Sequence, residues 1–492
     1  MKIHPPDPNA LRQALIDMSG AGQAETGADA IALKRFLPLP EHARIFEPEN
    51  LLIIGHRGAG KTQLFRALQS PDGVAAVQTV ARRFDVDQLA KTRWLVGYTS
   101  SGTEFPAELV FQQFTKGKQP IDLQLIWLAY LLRTLCRQKV LSVDQLPEDA
   151  RQVTEQDGVQ LDHLFTTMQK NLPQAINTLD RFDAELEREG KWVFVTYDEL
   201  DRVSSSDWEQ LTTILRGLIQ FWSSHTRRWR RLRPKIFLRR DLYERAAIVG
   251  PDVSKISAQR LDLAWTPRDL YALLAKRFYN QSPGLVKRYL GRNLPPGEER
   301  GALGWSPTVG AAEDYRPMVE QICGGFMGDS AKKGRTFLWI PTHLQDGHGQ
   351  VLPRSFVKLF EKAAQLQSHS ARVDYPRLLH HSAIRGALDK VSLDRMEEFK
   401  EELPWIDRVR TRLVEVGLNV PIERQTLQRE LDRIDWSQTS DRPAQRSGYD
   451  LIQFLGGLGI FYIRSDDNRV DVRDIYLKGL GFKRKGGVKR SM

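Results

Sequence analysis

Two cysteines, Cys136 and Cys323, are all that this 492-residue chain carries, which excludes a disulfide framework and a thiolate-rich metal site. No run approaches the roughly 18 consecutive apolar residues that cross a bilayer, so no membrane partner is expected. The N-terminus, Met1-Lys-Ile-His-Pro-Pro-Asp-Pro-Asn9, lacks an apolar signal core. A reducing cytoplasm is the compartment these absences imply. Internal repeats and long low-complexity tracts are missing too. What is present is ordinary for a globular protein: 41% hydrophobic and 27% charged residues. The length implies about two to four domains. The net charge of +11 suits contact with nucleic-acid phosphates and equally suits solvated arginines, so DNA enters as a candidate partner and no more.

The densest signal lies early. Asn50-Leu-Leu-Ile-Ile-Gly55 is a short continuous apolar run ending in glycine, the pattern of a buried parallel strand. Leu64, Phe65 and Leu68 then recur at helical spacing. Between them stands Gly55-His56-Arg57-Gly58-Ala59-Gly60-Lys61-Thr62, which satisfies G-x-x-x-x-G-K-[ST] in full. Glycines let the backbone turn successive N–H groups toward phosphate oxygens, and the helix start behind them favours anions. Lys61 is expected on the β- and γ-phosphates and the Thr62 hydroxyl on Mg²⁺, with Gln63 beside them. The chemistry is nucleoside triphosphate binding.

Such a loop needs an acid at the end of a neighbouring strand to hold the Mg²⁺ hydration shell. Trp192-Val-Phe-Val-Thr-Tyr197 reads as that strand and runs straight into Asp198-Glu199-Leu-Asp201. Asp198 is expected to serve the metal and Glu199 the attacking water, with Asp201 an open alternative for the second task. A third strand, Lys235 to Leu238, ends in Arg239 and Arg240, either of which would place a cation by the γ-phosphate. The preceding run, Arg227 to Lys235, is densely basic. It reads either as a solvated loop or as a contact to nucleic acid or a neighbouring subunit.

Residues 1–40 read as an N-terminal arm, 41–270 as an α/β core with a parallel sheet, and 72–190 as an insertion within it before the next clear strand. Ile121 to Leu135 is apolar nearly all round, the composition of a buried helix. Arg260 to Ala264 is a fourth strand, after which Thr266, Pro267 and Asp269 form a helix-start signal. Beyond about 270 the chain turns mainly helical, with Val357–Leu366 and Tyr375–Val391 amphipathic and 290–350 rich in Gly and Pro. Tyr449 to Gly457 reads as a helix, followed by a hairpin from Ile460–Ile463 through Asp466-Asp-Asn468 to Arg469–Arg473, the profile of a winged helix over 396–492. Lys483-Arg-Lys485 and Lys489-Arg490 make the end basic, as a solvated tail would be.

Taken in order, these motifs resemble the AAA+/STAND-like P-loop ATPases of the prokaryotic origin-recognition-type and KAP-type branches. The matching features are the Arg57-to-Thr62 loop, the Asp198-Glu-Leu-Asp201 acids, Phe237-Leu-Arg-Arg-Asp241, and Leu352-Pro-Arg-Ser-Phe-Val-Lys-Leu359. The resemblance covers roughly residues 40–395, and the insertion departs from the minimal pattern. It implies ATP rather than GTP, a helical lid over 271–395, Arg239 or Arg240 as first sensor, and Arg354 as second sensor over the nucleotide. It also implies a homo-oligomeric switch or assembly ATPase regulating a separate effector protein, as in bacterial anti-phage and mobile-element systems. A DNA-binding loader or transposition-type regulator is the alternative.

Overall fold

Five short apolar runs pair side by side in the computed structural model, which describes residues 6–20, 29–81, 91–101, 104–155, 158, 160–204, 207–247, 258–308, 310–369, 376–437, 443 and 446–485. They are β1 (Leu52–Gly55), β2 (Thr92–Tyr98), β3 (Trp192–Tyr197), β4 (Leu232–Arg239) and β5 (Arg260–Asp262). The order across the sheet is β2-β3-β4-β1-β5 and every pairing is parallel. Every residue of β1 is buried, as in a sheet covered on both faces. The chain is thus an α/β protein with a parallel-sheet P-loop core.

Two compact units make up the chain: residues 38–263 form one, and residues 1–37 with 264–492 form the other. In the sheet unit, the helix Pro120–Arg137 is buried along most of its length, with Trp127 inaccessible to solvent, as its all-round apolar composition predicts. It shares a core with the helix Trp208–His225 and with β3.

The stretch read as an insertion contains β2, the edge strand of the sheet, so the sheet gains a strand that the sequence reading passed over. Its start, Thr92-Arg-Trp, is half-exposed and carries no continuous apolar run. Gly97 is required there: a Cβ would lie 2.5 Å from Val195 Cγ1 on β3.

The basic run is solvated in part, with Arg227, Arg228 and Arg230 exposed, but it is also structural. Arg228 forms a paired contact with Asp180, and Arg231 lies over the Trp192 ring. Asp183, buried on the helix Leu172–Glu189, accepts the backbone N–H groups of Arg230, Arg231 and Leu232 at 2.7, 2.7 and 2.8 Å. β4 therefore starts at Leu232, and Lys235 is buried inside it, donating to the carbonyls of Glu47 and Asn50. This run builds the entry to a central strand.

In the second unit, Thr266 and Asp269 form a reciprocal capping box on the helix Pro267–Gln281. The Gly- and Pro-rich stretch holds an antiparallel pair, Gly297–Glu299 with Trp305–Pro307, and the helices Arg316–Cys323 and Thr336–Leu344. The helix Pro353–Ser368 packs on His381–Glu402. The latter begins at His381, not in the extended stretch after Pro376; Tyr375, where the helix was expected to start, lies outside the described residues.

The last elements follow in the order Ile406–Val416, Asn419–Val420, Arg424–Asp432, Gly448–Gly457, and the antiparallel strands Phe461–Ile463 and Val470–Val472. Ile422 bridges Val470 beside the hairpin. That is the expected helix-then-hairpin arrangement. Lys489 and Arg490 lie outside the described residues. Among the described residues no helix is long and apolar enough to cross a membrane.

Candidate functional site

β1 ends in a loop whose backbone only glycine adopts easily: Gly58 has φ +85° and Gly60 φ +97°. The Ala59 N–H donates to the His56 carbonyl at 3.1 Å, closing the turn, and Gly60 leads into the helix Lys61–Ala67. His56 and Arg57 are half-buried and Gln63 is exposed. Lys61 folds back over the loop, its Nζ donating to the carbonyls of Gly55 (2.8 Å) and His56 (3.0 Å). Burial pushes the Lys61 ammonium down to about 8, and Asp198 opposes that shift.

Asp198 stands directly after β3 and is 3% exposed. It accepts the Thr62 hydroxyl and the Glu199 N–H, yet burial, the largest influence, lifts its carboxyl to about 6. Its Oδ2 is buried without a hydrogen-bond partner. A buried carboxylate oxygen that lacks a donor, beside a threonine hydroxyl and a lysine, fits a divalent cation. Among the described residues no three His, Cys, Asp or Glu side chains gather to hold a metal alone, so Thr62 and Asp198 suit an ion whose other ligands are water and phosphate.

Glu199 takes the left-handed backbone conformation, φ +56°, uncommon for a residue with a Cβ. The turn sends its carboxylate away from Asp198 and toward the end of β2. There Oε2 accepts from Thr99 Oγ1 (3.1 Å), the Ser100 N–H (3.2 Å) and Ser100 Oγ (2.6 Å). Thr99 and Ser100 carried no motif; only the pairing of β2 with β3 reveals them. Asp201 goes elsewhere, to Arg239 at 3.4 Å.

The two candidate arginines part company. Arg239 is paired in register with Gly55, so it ends β4 beside the start of the phosphate loop. It is nearly buried, held by Asp241 (2.7 and 3.1 Å) and Asp201, and its charge is felt by Lys61. Arg240 opens the helix Arg240–Ala247 and bonds Asp262 on β5 at 2.6 Å. Arg354 belongs to the second unit, in the first turn of the helix Pro353–Ser368, with half its side chain exposed and Glu398 3.8 Å away.

No protein-family model matches the chain. A curated relative, the ATP-dependent protease ATPase subunit HslU of Treponema denticola, is 29% identical over 165 residues, covering 31% of this chain and 33% of that protein. The chain thus spans about a third of the length of that relative. Two solved structures align over most of the chain. The ORC2 protein of Aeropyrum pernix in its ADPNP-ADP complexes has TM-score 0.36 and 14% identity, covering 90% of this chain and 89% of its own. Cdc6p of Pyrobaculum aerophilum has TM-score 0.28 and 11% identity, covering 88% and 85%. Likeness at that level carries no weight here. The P-loop assignment stands on strand order and on the loop itself, and a nucleoside triphosphate with Mg²⁺ is the pair that Lys61, Thr62 and Asp198 fit.

Proposed function

We propose that the chain is an ATP-binding and ATP-hydrolysing molecular switch. The observation that supports this is the meeting of Lys61, Thr62 and Asp198, with an unsatisfied Asp198 oxygen between the loop and β3. In this reading the loop amides and Lys61 hold the β- and γ-phosphates, and Thr62 with Asp198 hold Mg²⁺, which neutralises developing charge on the phosphates. Glu199 leaves Thr99 and Ser100 to orient water and accept its proton. Arg239 is the better placed of the two arginines to meet the γ-phosphate, since Arg240 is committed to Asp262.

Residues 271–395 would act as the lid carrying Arg354, and 396–492 as a winged-helix-like module. Closing of the lid on ATP and its opening after hydrolysis would drive assembly of a cytoplasmic homo-oligomer that regulates a separate effector. An anti-phage or mobile-element setting follows from the family resemblance alone. A DNA-bound assembly factor is the second reading, favoured by the net charge of +11. The experiment is phosphate release and ATP binding in wild type, Lys61→Ala and Glu199→Gln. Lys61→Ala should lose binding, whereas Glu199→Gln should bind and not turn over; binding that survives Lys61→Ala defeats the proposal.

A further inference from the structure

Three arginines at and beside the C-terminal hairpin are matched by acids. Arg464 is held by Asp466, Asp467 and Asp471, Arg469 by Asp467, and Arg484 by Asp471 and Asp474. This matters for the C-terminal module, because it neutralises the hairpin cations that would meet phosphate. The helix before the hairpin, Gly448–Gly457, contains no lysine or arginine, and exposes Tyr449, Asp450 and Gln453. The winged-helix-like face is therefore poorly charged for a polyanion.

Another part of the same unit is the reverse. Lys332, Lys333, Arg335, Arg377 and Arg385 are all exposed, and none has an ion-pair partner among the described residues. Two segments bring them together. The loop after the helix Arg316–Cys323 folds on itself through an antiparallel bridge between Phe326 and Arg335. Arg385 reaches across to it, donating to the Met327 carbonyl at 2.6 Å. Close glycines keep the cationic stems against the backbone: a Cβ on Gly324 would lie 2.9 Å from Arg377 Cδ, and one on Gly328 would lie 2.8 Å from Lys333 Cγ. The crowding shows at His381, whose basicity is lowered by partial burial and then by His380, Arg385 and Arg377, with Asp329 the acid that opposes them.

We propose that this loop and the 377–385 segment form a binding surface for the phosphodiester backbone of DNA. A single carboxylate would satisfy one of these cations, whereas a polyanion with a charge every few ångströms can engage several at once. Exposed Phe326 and the His380–His381 pair, with ring centroids 3.9 Å apart, add aromatic faces beside the cations, as nucleic-acid surfaces do. The inference rests on the DNA-bound reading above, and is independent of ATP turnover.

The test is fluorescence anisotropy of a labelled duplex with the full chain, without nucleotide, across a salt series. Five cations predict a log–log salt slope of about −4.5. Lys332→Glu with Lys333→Glu should weaken binding at least about tenfold and reduce the slope by about two, and Arg377→Ala by about one. Lys483→Ala, at the exposed residue of the two-residue strand Lys483–Arg484, should leave both unchanged. If wild type binds no DNA, or binds anionic phosphatidylglycerol vesicles and not DNA, the DNA reading itself falls. If wild type binds and the charge-reversed protein binds equally well with the same slope, the surface assignment falls alone. Basal ATP turnover should be equal in all variants, which shows that they fold.

Discussion

Replacing Asp198 with asparagine should make the nucleotide-free protein more stable while ending its Mg²⁺-dependent chemistry. Burial raises this carboxyl from an ordinary 3.8 to about 6. A rise of that size corresponds to about 3 kcal/mol of penalty for keeping the group ionised above pH 6. The sign follows from proton uptake. Between pH 4 and 6 the folded form holds more protons than the unfolded chain, so stability falls as pH rises through that window and stays low above it. Asparagine carries no such penalty. The rise to about 6 is already net of the attraction of Lys61, so the gain at pH 8 should be about 2–3 kcal/mol, or several degrees in Tm. Thermal unfolding of the full chain at intervals from pH 4 to 8 measures it. The gap between variant and wild type should open from near zero at pH 4 and level off above pH 6.5. Millimolar Mg²⁺ should raise the Tm of wild type at pH 8 and leave Asp198→Asn unmoved. A gap that is flat from pH 4 to 7, or an asparagine variant less stable at pH 8, would refute the account of Asp198 as a strained, cation-seeking carboxylate.

Further consequences can be checked in the same preparations. Ser100→Ala removes the shortest bond to the Glu199 carboxylate, an interaction of the charged class that contributes about 1.5–3 kcal/mol; basal turnover should rise several-fold with ATP affinity unchanged, and a fall would show that the contact aids catalysis rather than restraining it. Glu199→Gln should bind ATP within about twofold of wild type and lose on the order of 10²–10³ in turnover, read by single-turnover hydrolysis. Asp183→Ala removes the shared acceptor of three amides at the head of β4, that of Leu232 buried, and should cost about 2–3 kcal/mol in urea unfolding; a loss under about 1 kcal/mol would mean that water replaces the carboxylate.

The elements read well from the sequence were those whose local pattern and tertiary setting agree. β1 and β3 combine a continuous apolar run with burial, while the glycine loop and the capping box at Thr266 are set by backbone chemistry that local sequence spells out. β2 escaped because an edge strand is half wet: Thr92-Arg-Trp offers no apolar run, and the residue that seats it, Gly97, reads as a breaker. The basic run hid the start of β4, Leu232 to Pro234, for the opposite reason. Charge in sequence suggests solvent, yet Lys235 lies inside a central strand because two carbonyls, of Glu47 and Asn50, wait for its ammonium, and neither is visible before the chain is folded. Register separates Arg239 from Arg240. Adjacent residues at a strand end point apart, and only the pairing of Arg239 with Gly55 tells which one faces the phosphate loop. Thr99 and Ser100 had no signal at all, since their partner lies a hundred positions away.

The left-handed turn at Glu199 has a consequence for descent. Because it aims two consecutive carboxylates at different strands, Asp198 toward Thr62 and Glu199 toward Ser100, the chain can shed one without disturbing the other. A single-base change from a glutamate to a glutamine codon would leave the metal pole and the loop intact. If the proposed switch is right, a lineage carrying this scaffold stands one mutational step from a nucleotide-locked sensor that binds and holds, and one step back from a timer that resets itself.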